Sequence, residues 1–496
     1  MALESFEVSK DDTFGDLLND YEKKQKVKVG VYTCGYFEYW RMYPKTLEAF
    51  VRGDLEKVLG QLRKHLGPQV EIVWPGLVST LDEADRAGRL FKKENIDLVL
   101  FVAFTYTVDV ISLQCLRYVE KVPLILFLRQ SHRDIDFQGN YEQTLRNSAM
   151  IAASQLTGTF RKMGIFENFE VVVGADFEEE PYRLIRKYAD AVGTYHYLRE
   201  LNIGIIGHVF RGMFDHEFDR TSITGTLGPQ VIDIQISHLL DLWEKVTEEE
   251  VEEYAGQLEW VRRYRFQDVK EEEFLRECRF TIAYKRLIRR FRLDAVCFLG
   301  QHYVEVKTGC TGYLASVVLA KEKQYMANTE GDVNGLVMMC IMNRLTGQAP
   351  LFGEWGEYGE KENAMQMMMH GYGDPDLAKG PEHVRITATP ENWGHQGSGL
   401  SVEFTARPGP VTIGHLIDDK RDGWRMLIGK GEAIAAAQSI PCEDVTLLYK
   451  PEIPIKDFVR KILKTGFDHH AIICYGDVTQ ELGYLADLMG VKKDQV

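Results

Sequence analysis

Asp97-Leu-Val-Leu-Phe-Val-Ala-Phe104 is an unbroken apolar run behind a single aspartate. A second run of the same kind, Val122-Pro-Leu-Ile-Leu-Phe-Leu128, lies further along the chain. Continuous apolar strands are typical of a parallel sheet covered by helices on both faces, because neither face of such a strand meets water. These runs alternate with helical segments such as residues 80–93, and the alternation predicts a parallel α/β sheet.

The α/β pattern extends to about residue 195 and begins again with the apolar strand Leu201-Asn-Ile-Gly-Ile-Ile206. Residues 382–449 instead alternate short strands with turns, which predicts an antiparallel sheet or a small barrel. A chain of 496 residues is also too long for one hydrophobic core. We therefore predict two Rossmann-like parallel-sheet α/β domains and a C-terminal β-rich, barrel-like domain with terminal helices, at residues 1–197, 198–345 and 346–496.

The composition is that of an ordinary globular protein, with 45% hydrophobic and 27% charged residues. A formal net charge of −15 argues against nucleic acid as the main partner, because a phosphate backbone requires a basic surface. No signal peptide is visible, and no window approaches the roughly 18 apolar residues of a membrane span. The eight cysteines form no C-x-x-C pair. Together these features predict a cytoplasmic protein with reduced thiols and no membrane partner.

A G-x-G-x-x-G fingerprint is absent after the first strand, so a dinucleotide site has little support. Ligands of open parallel sheets nevertheless bind beyond the carboxyl ends of the strands. On that argument Tyr36, Gln130, Ser131 and His132 are candidates to face a ligand. The alternative is that these residues merely line solvated loops.

Two carboxylates and a set of imidazoles stand in otherwise apolar surroundings in the second half of the chain. Glu330 lies in the glycine-marked turn Asn328-Thr-Glu-Gly-Asp332, just before an apolar helical run. Glu354 follows in Phe352-Gly-Glu, His370 closes Met365-Gln-Met-Met-Met-His, and His469 and His470 are adjacent near the C-terminus. Oxygen and nitrogen donors of these kinds could hold Mn²⁺ or a related divalent ion. We expect the methionines before His370 to belong to a helical core.

Such a site suits one reaction class in particular. A divalent metal that chelates two neighbouring oxygens of a polyol polarises a carbonyl and acidifies the adjacent C–H. A pair of carboxylates can then remove a proton from one carbon and return it to the next. These are the requirements of aldose–ketose isomerisation through a cis-enediol, which needs no organic cofactor. Taken singly, however, each of these residues has an ordinary structural explanation, and only their joint occurrence favours a site.

At these residues the chain resembles the L-arabinose isomerase branch of the L-fucose/L-arabinose isomerase superfamily. The family's E-G-D turn is matched by Glu330-Gly-Asp, and its second glutamate by Phe352-Gly-Glu354. The family histidine about sixteen residues later is matched by His370, and a G-x-x-H-H motif by Gly466-Phe-Asp-His469-His470. The order and the intervals agree, so the four matches together are far more specific than any one of them.

The resemblance implies Mn²⁺, or another divalent ion such as Co²⁺ or Mg²⁺, bound by Glu330, Glu354, His370 and His470. Glu330 and Glu354 would also act as the acid/base pair. It further implies three domains, with part of the metal site in the central one. The resemblance also implies a homo-oligomer, a hexamer or trimer, in which the N-terminal domain of one subunit covers the site of another.

The chain departs from the family pattern where the family contacts sugar. The family's first strand leads into a G-S-Q-H-L-Y-G type turn, whereas this chain has Thr33-Cys-Gly-Tyr36. The family has a histidine after the strand near residue 127, whereas this chain continues as Arg129-Gln130. Arg129 is accordingly a candidate to recognise a different sugar. The full set of predicted substrate contacts is Tyr36, Gln130, His132, His395 and His469.

The sequence therefore predicts a metal-dependent ketol isomerase that converts a free monosaccharide, with L-arabinose to L-ribulose as the leading reaction. Isomerisation of another sugar, such as L-fucose or D-arabinose, is the first alternative. The second alternative is a sugar-binding protein of the same fold that performs no turnover. The acid pair separates these alternatives, because a binding protein does not need both Glu330 and Glu354 beside a metal.

Overall fold

The computed structural model describes residues 15–18, 23–24, 26–135, 137–299, 303–322, 325–370, 373–391, 395–438 and 445–496. The chain forms two compact units. The N-terminal unit is Lys23–His196, and the C-terminal unit is Tyr197–Val496 together with Met1–Glu22.

The N-terminal unit contains a parallel sheet of six strands. The order β2-β1-β4-β5-β6, with β3 also paired to β1, is that of a doubly wound α/β fold. The strands β1–β6 are Val27–Cys34, Val70–Val73, Leu77–Val78, Leu98–Ala103, Leu124–Gln130 and Glu170–Ala175. The helices α1–α7 are Phe37–Met42, Leu47–Leu66, Leu81–Glu94, Asp109–Leu116, Tyr141–Arg146, Ala149–Met163 and Glu180–Leu198.

The apolar runs occupy the centre of this sheet, as the sequence predicts. Every residue of β4 is buried, and β4 pairs in parallel with β1 on one side and β5 on the other. Local hydrogen bonds determine where helix α3 begins. The side chain of Thr80 accepts the Glu83 N–H, and the Glu83 carboxylate accepts the Thr80 N–H in return. The helix capping and the burial of the strands therefore both support the predicted α/β arrangement.

The side chain of Arg129 contradicts its prediction as a sugar contact. It is fully buried, and its guanidinium donates to Asp176 at 2.6 and 2.7 Å and to Asp54 at 2.8 Å. Successive side chains of a strand point to opposite faces, so Arg129 enters the core although Gln130 beside it is exposed. Arg129 is thus a structural charge compensated by two carboxylates.

The first part of the C-terminal unit contains a second parallel sheet, of four strands in the order β11-β10-β7-β8. The strands β7–β11 are Asn202–Ile206, Gln230–Ile234, Arg265–Gln267, Ala295–Phe298 and Met326–Thr329. The helices α8–α15 are Arg220–Ser222, Ile236–Glu244, Glu248–Gln257, Glu259–Arg262, Glu271–Arg290, Tyr303–Thr308, Tyr313–Glu322 and Val333–Thr346. Short 3-10 or π turns occur at Gly15–Leu17, Phe214–His216, Ile223–Leu227, Pro375–Leu377 and Pro381–His383.

The remaining strands form one large mixed sheet with the order β20-β17-β16-β19-β12-β13-β18-β15-β14-β9. The strands β12–β20 are Leu351–Gly359, Ala364–Met368, Val384–Ala388, Leu400–Thr405, Gly409–Asp419, Gly423–Ile434, Val445–Pro451, His470–Tyr475 and Lys492–Gln495. The last helices, α16 and α17, are Ile455–Thr465 and Thr479–Met489. An additional pairing of β17 with β18 closes six antiparallel strands into a ring, which makes this part of the sheet barrel-like.

The predicted fold class is confirmed, because two parallel α/β sheets precede a β-rich C-terminal sheet. The predicted boundaries at residues 197 and 345 stay predictions. The predicted helix at Met365-Gln-Met-Met-Met is wrong: Ala364–Met368 is strand β13, and pairing with β12 and β18 on its two sides overrides the helical preference of methionine. None of the helices in the described part of the chain is long and apolar enough to cross a membrane.

Candidate metal centre

The loop after strand β11 has a backbone that only a few residues can adopt. Glu330 and Gly331 both have positive φ angles, 66° and 82°. A Cβ on Gly331 would lie 2.4 Å from Val209 Cα and 3.0 Å from the His208 carbonyl oxygen, so this position requires glycine. The Glu330 carbonyl also accepts the Phe210 N–H at 2.8 Å. A strained non-glycine residue held in this way is often found at a functional site.

Asp332, two residues later, connects this loop to two histidines. One carboxylate oxygen caps helix α15 by accepting the Gly335 N–H at 2.6 Å. The other lies 3.1 Å from His415 Nε2 and 3.1 Å from His470 Nδ1. Asp332 is fully buried. It therefore fixes the ring of His470 with Nε2 directed away from the capped helix.

Strand pairing supplies the other members of the cluster. Glu354 on β12 stands opposite His470, the first residue of β19, and opposite Met368 at the end of β13. His370 follows β13 by two residues, which brings its ring beside Glu354. His470 is the first residue of strand β19, so its position is set by strand pairing. The pairing of β12 with β13 and β19 thus determines which three side chains meet.

Four donor atoms lie within 4.8 Å of one another, one each from Glu330, Glu354, His370 and His470. His370 Nε2 is 3.0 Å from Glu354 Oε1 and 3.7 Å from Glu330 Oε1. His470 Nε2 is 3.5 Å from Glu330 Oε2 and 3.8 Å from Glu354 Oε1. The structure therefore brings together the complete set that the sequence predicts as metal ligands, although the assignment itself stays a prediction.

The charges of the cluster compensate one another. Burial by itself would raise the pKa of Glu354, but its contacts with His370 and His470 lower that pKa below its ordinary value. Burial would likewise raise the pKa of Glu330, and His470 and His370 again lower it. For His370 the directions reverse: burial would lower its pKa, and the hydrogen bond with Glu354 and the charge of Glu330 raise it. The imidazoles therefore stabilise the ionised forms of both carboxylates.

One observation within the cluster points to a cation. His470 Nε2 is buried and has no hydrogen-bond partner among the described residues, whereas its Nδ1 is bound to Asp332. Buried polar atoms are normally paired. A metal-ligating imidazole typically has its second nitrogen on a carboxylate, as here. Two carboxylates and two imidazoles are also a donor set that divalent ions such as Mn²⁺ accept, so the residues fit such an ion.

A second group of potential ligands overlaps the first. His216, Glu330, His469 and His470 also present donor atoms within 4.8 Å of one another. The two groups share Glu330 and His470, and the Nε2 of His470 cannot serve two ions at once because its Nδ1 is engaged by Asp332. The two groups are therefore alternatives for one ion.

Sequence reasoning gave too little weight to the residues that surround the cluster. Among the crowded residues His208, Asp215, His216 and Asp219 a metal or substrate role is one interpretation of the sequence, and a solvated loop is the favoured one. In the structure the ring of His216 is buried and stacks on His470 with centroids 4.4 Å apart. Burial lowers the pKa of His216 to about 4, so its ring is neutral at neutral pH. His415 was also missed, and its only signal is an imidazole in the middle of the apolar strand β16.

His395 lies in a hydrogen-bonded chain close to the cluster. Its Nδ1 is 3.2 Å from Glu305 Oε2, and its Nε2 is 2.8 Å from the hydroxyl of Tyr313. The Tyr313 ring in turn lies 6.4 Å, centroid to centroid, from that of His370. His395 itself is 5% exposed. Its predicted contact with substrate stays a prediction, and Tyr313 is the member of the chain that neighbours a candidate ligand.

The remaining predicted substrate contacts belong to the N-terminal unit. Gln130 ends strand β5 and lines a cavity of about 560 Å³ together with His132, Arg133 and Arg146. Tyr36 follows β1, and its ring meets that of Tyr106, which follows β4, at a centroid distance of 5.7 Å. These positions are the carboxyl ends of parallel strands, where the sequence places them. Their roles stay predictions.

Comparison with known proteins supports the class of protein that this fold and cluster define. Residues 358–492 match the L-arabinose isomerase C-terminal domain. Three relatives are sulfoquinovose isomerases. The protein of Alkalicoccus urumqiensis is 25% identical over 60% of this chain and 65% of its own length. The protein of Priestia aryabhattai is 21% identical over 84% of this chain and 89% of its own. The protein of Clostridium sp. (strain MSTE9) is 24% identical over 71% and 76%.

The chain is thus related to the sugar isomerases of the L-fucose/L-arabinose isomerase superfamily. The resemblance that rests on Glu330, Glu354, His370 and the His469-His470 pair is confirmed.

Proposed function

We propose that the protein is a divalent-metal-dependent aldose–ketose isomerase. The observation that carries this proposal is the convergence of Glu330, Glu354, His370 and His470 within 4.8 Å. The kinship with sugar isomerases supports the same reaction class. A Mn²⁺, Co²⁺ or Mg²⁺ ion held by these four residues would supply Lewis-acid chemistry, polarising the sugar carbonyl and acidifying the adjacent C–H.

Within this proposal the chain's own residues move the proton. One of the carboxylates Glu330 and Glu354 removes the proton from C2 of the open-chain aldose, the proton of the C2 hydroxyl passes to the C1 oxygen, and the carboxyl group so formed returns its proton to C1. Both carboxylates are kept ionised by the neighbouring imidazoles, so one is available as a base at neutral pH. Asp332 acts differently: it is fully buried and holds the ring of His470.

Two substrates are proposed for the natural reaction. L-Arabinose follows from the resemblance at the metal-site residues and the matching C-terminal domain. Sulfoquinovose follows from the relatives, whose named activity is sulfoquinovose isomerisation. Such a sugar carries an anionic sulfonate, which L-arabinose lacks.

The decisive experiment is an isomerase assay with purified protein stripped by EDTA and then given Mn²⁺, Co²⁺ or Mg²⁺. The panel contains sulfoquinovose, L-arabinose, L-fucose and D-arabinose, and the product is measured as ketose. We expect one of these sugars to be converted, and only in the presence of metal. If metal binds and no sugar is converted, a sugar-binding protein without turnover becomes the better description.

A further inference from the structure

Outside the four candidate ligands, one imidazole is held against the cluster by a carboxylate from a distant part of the chain. His469 Nδ1 lies 2.7 Å from Asp215 Oδ2, and the His469 N–H donates to the same oxygen at 3.3 Å. Asp215 belongs to the short turn Phe214–His216, whereas His469 precedes strand β19. Two bonds to one oxygen fix both the backbone and the ring of His469.

The other nitrogen of this ring faces the cluster. His469 Nε2 is 3.9 Å from Glu354 Oε1, and the imidazole is 34% exposed, so it borders the cluster and also reaches solvent. The buried ring of His216 packs edge-on against it at a centroid distance of 4.4 Å, and the His216 Nε2 lies 3.1 Å from its Nδ1 and 3.4 Å from its Nε2. The His469 ring is therefore held in one orientation, because His216 packs against it and the Asp215 carboxylate binds its Nδ1.

The short bond to Asp215 also favours one tautomer of His469, while the His216 Nε2 lies within hydrogen-bond distance of both ring nitrogens. A carboxylate only accepts hydrogen bonds, so a neutral His469 must carry its proton on Nδ1 to satisfy Asp215. Its Nε2 is then a lone pair directed at the cluster, suited to accept a hydrogen bond from a hydroxyl. With the opposite tautomer Nε2 would be a donor, and a lone pair would face the carboxylate.

We propose that Asp215 is a positioning residue that fixes His469 with Nε2 as the acceptor for a hydroxyl group of the sugar. This inference rests on the proposed function, because it assigns the direction of a hydrogen bond in the same site. It adds a residue from the loop after β7 to a site that is otherwise built from the β11 loop and the large sheet. Recognition of a hydroxyl by a buried or oriented acceptor discriminates strongly against sugars that lack it.

The test combines kinetics with a tautomer measurement on the holoenzyme. Asp215→Asn removes the charge and can present its amide N–H to Nδ1, which favours the opposite tautomer. We expect kcat/KM to fall at least about 10-fold, which corresponds to about 1.4 kcal/mol of lost transition-state stabilisation. Glu217→Gln, an exposed carboxylate in the same loop, is the control and should change kcat/KM less than twofold.

A double-mutant cycle distinguishes positioning from a general structural effect. If Asp215 acts through His469, Asp215→Asn should cost nothing further in a His469→Gln background. An equal cost in both backgrounds would overturn the proposal. Unchanged kcat/KM in the single variant would overturn it as well.

A measurement that needs no turnover separates this inference from the proposed function. ¹⁵N shifts of the imidazoles in the Mg²⁺-loaded protein report which nitrogen of His469 carries the proton, with His469→Gln used for assignment. We expect protonated Nδ1 in the wild type and a shift toward protonated Nε2 in Asp215→Asn. Protonated Nε2 in the wild type would refute the role of Asp215 even if the sugar assay succeeds, and protonated Nδ1 would uphold it even if no tested sugar is converted.

Discussion

At the scale of single residues, the cluster of Glu330, Glu354, His370 and His470 contains more buried ionisable groups than an ordinary hydrophobic core. Glu330 is 3% exposed and His470 is fully buried, and each is compensated by opposite charge. Removing one partner of such a group leaves the other uncompensated, which is costly. Four ionisable groups within one small volume are a donor set that fits the divalent cation proposed above.

Glu354→Gln tests the acid/base role at this scale. The amide keeps the shape of the side chain but cannot take a proton, so we expect kcat to fall at least about 100-fold, a typical contribution of a positioned proton-transfer group. Mn²⁺ affinity should fall too, because a charged ligand becomes neutral, and calorimetric titration with Mn²⁺ measures this separately.

The matched control is Glu357→Gln, which changes an exposed glutamate further along the same strand. It should leave both kcat and Mn²⁺ affinity near the wild-type values. Glu330→Gln is expected to behave like Glu354→Gln. Near-normal kcat for either variant at saturating Mn²⁺ would show that the carboxylate is not the base.

A second residue-scale prediction concerns stability and pH. Burial raises the pKa of Glu277 to about 8. The hydrogen bond that its carboxylate accepts from the Leu400 N–H lowers this pKa and offsets part of the effect of burial. In the unfolded chain this carboxyl ionises near its ordinary pKa of about 4.3. Between these values the folded state holds the proton and the unfolded state releases it, so stability falls as pH rises from about 4.5 to 8.

Glu277→Gln should remove this contribution. We expect the variant to become more stable relative to the wild type as pH rises from about 5 to 8. The difference between their free energies of unfolding should change by more than about 1 kcal/mol over that range. Urea denaturation at several pH values measures it. Glu272→Gln, on the same helix α12 but with its side chain 84% exposed, should give no such shift. An identical pH dependence of all three proteins would contradict the assignment.

At the scale of elements, the site depends on how the β11–α15 loop meets the loop after β7. Glu330 adopts a left-handed conformation, and Gly331 lies against the backbone of residues 208–209. Because the obstructing atoms are backbone, no side-chain rotation can relieve a clash at this position. The loop geometry that directs Glu330 into the cluster is therefore coupled to a neighbouring strand end.

Gly331→Ala should destabilise the protein by more than about 2 kcal/mol, since it adds a backbone clash to the cost of a positive φ. Gly347→Ala is the control, because Gly347 has a similar φ of 67° with nothing within 4 Å of an added Cβ. We expect that variant to lose only about 1–2 kcal/mol. Equal midpoints of urea denaturation for the two variants would show that the contact with Val209 is unimportant.

At the scale of the whole molecule, a metal that binds only the folded protein must raise its stability. At a free Mn²⁺ concentration of 100 times Kd, we expect about 2.7 kcal/mol of added stability and a corresponding rise in the unfolding temperature. Thermal unfolding of EDTA-stripped protein with and without Mn²⁺ measures this rise.

The size of that rise should depend on the candidate ligands. In His370→Ala or Glu354→Gln the increase should be much smaller than in the wild type, while Glu357→Gln should keep it. A rise of the same size in all four proteins would place the bound ion elsewhere. No rise for the wild type at millimolar Mn²⁺ would contradict a site of useful affinity.

The sequence by itself determined the alternating apolar strands of the α/β sheets, the barrel-like C-terminal pattern and the intervals between Glu330, Glu354, His370 and His470. Those features are local, because strand burial, capping and glycine-dependent turns are set by neighbouring residues. It failed for Met365–Met369 and Arg129, missed His415, and favoured a solvated loop over a ligand role for Asp215 and His216. Their positions depend on which strands pair across hundreds of residues, and no local pattern records that Glu354 stands opposite His470 or that Asp215 meets His469. Only the tertiary structure decided which of many polar side chains share one buried volume, because that choice is made by long-range strand pairing and packing and not by the propensity of any segment.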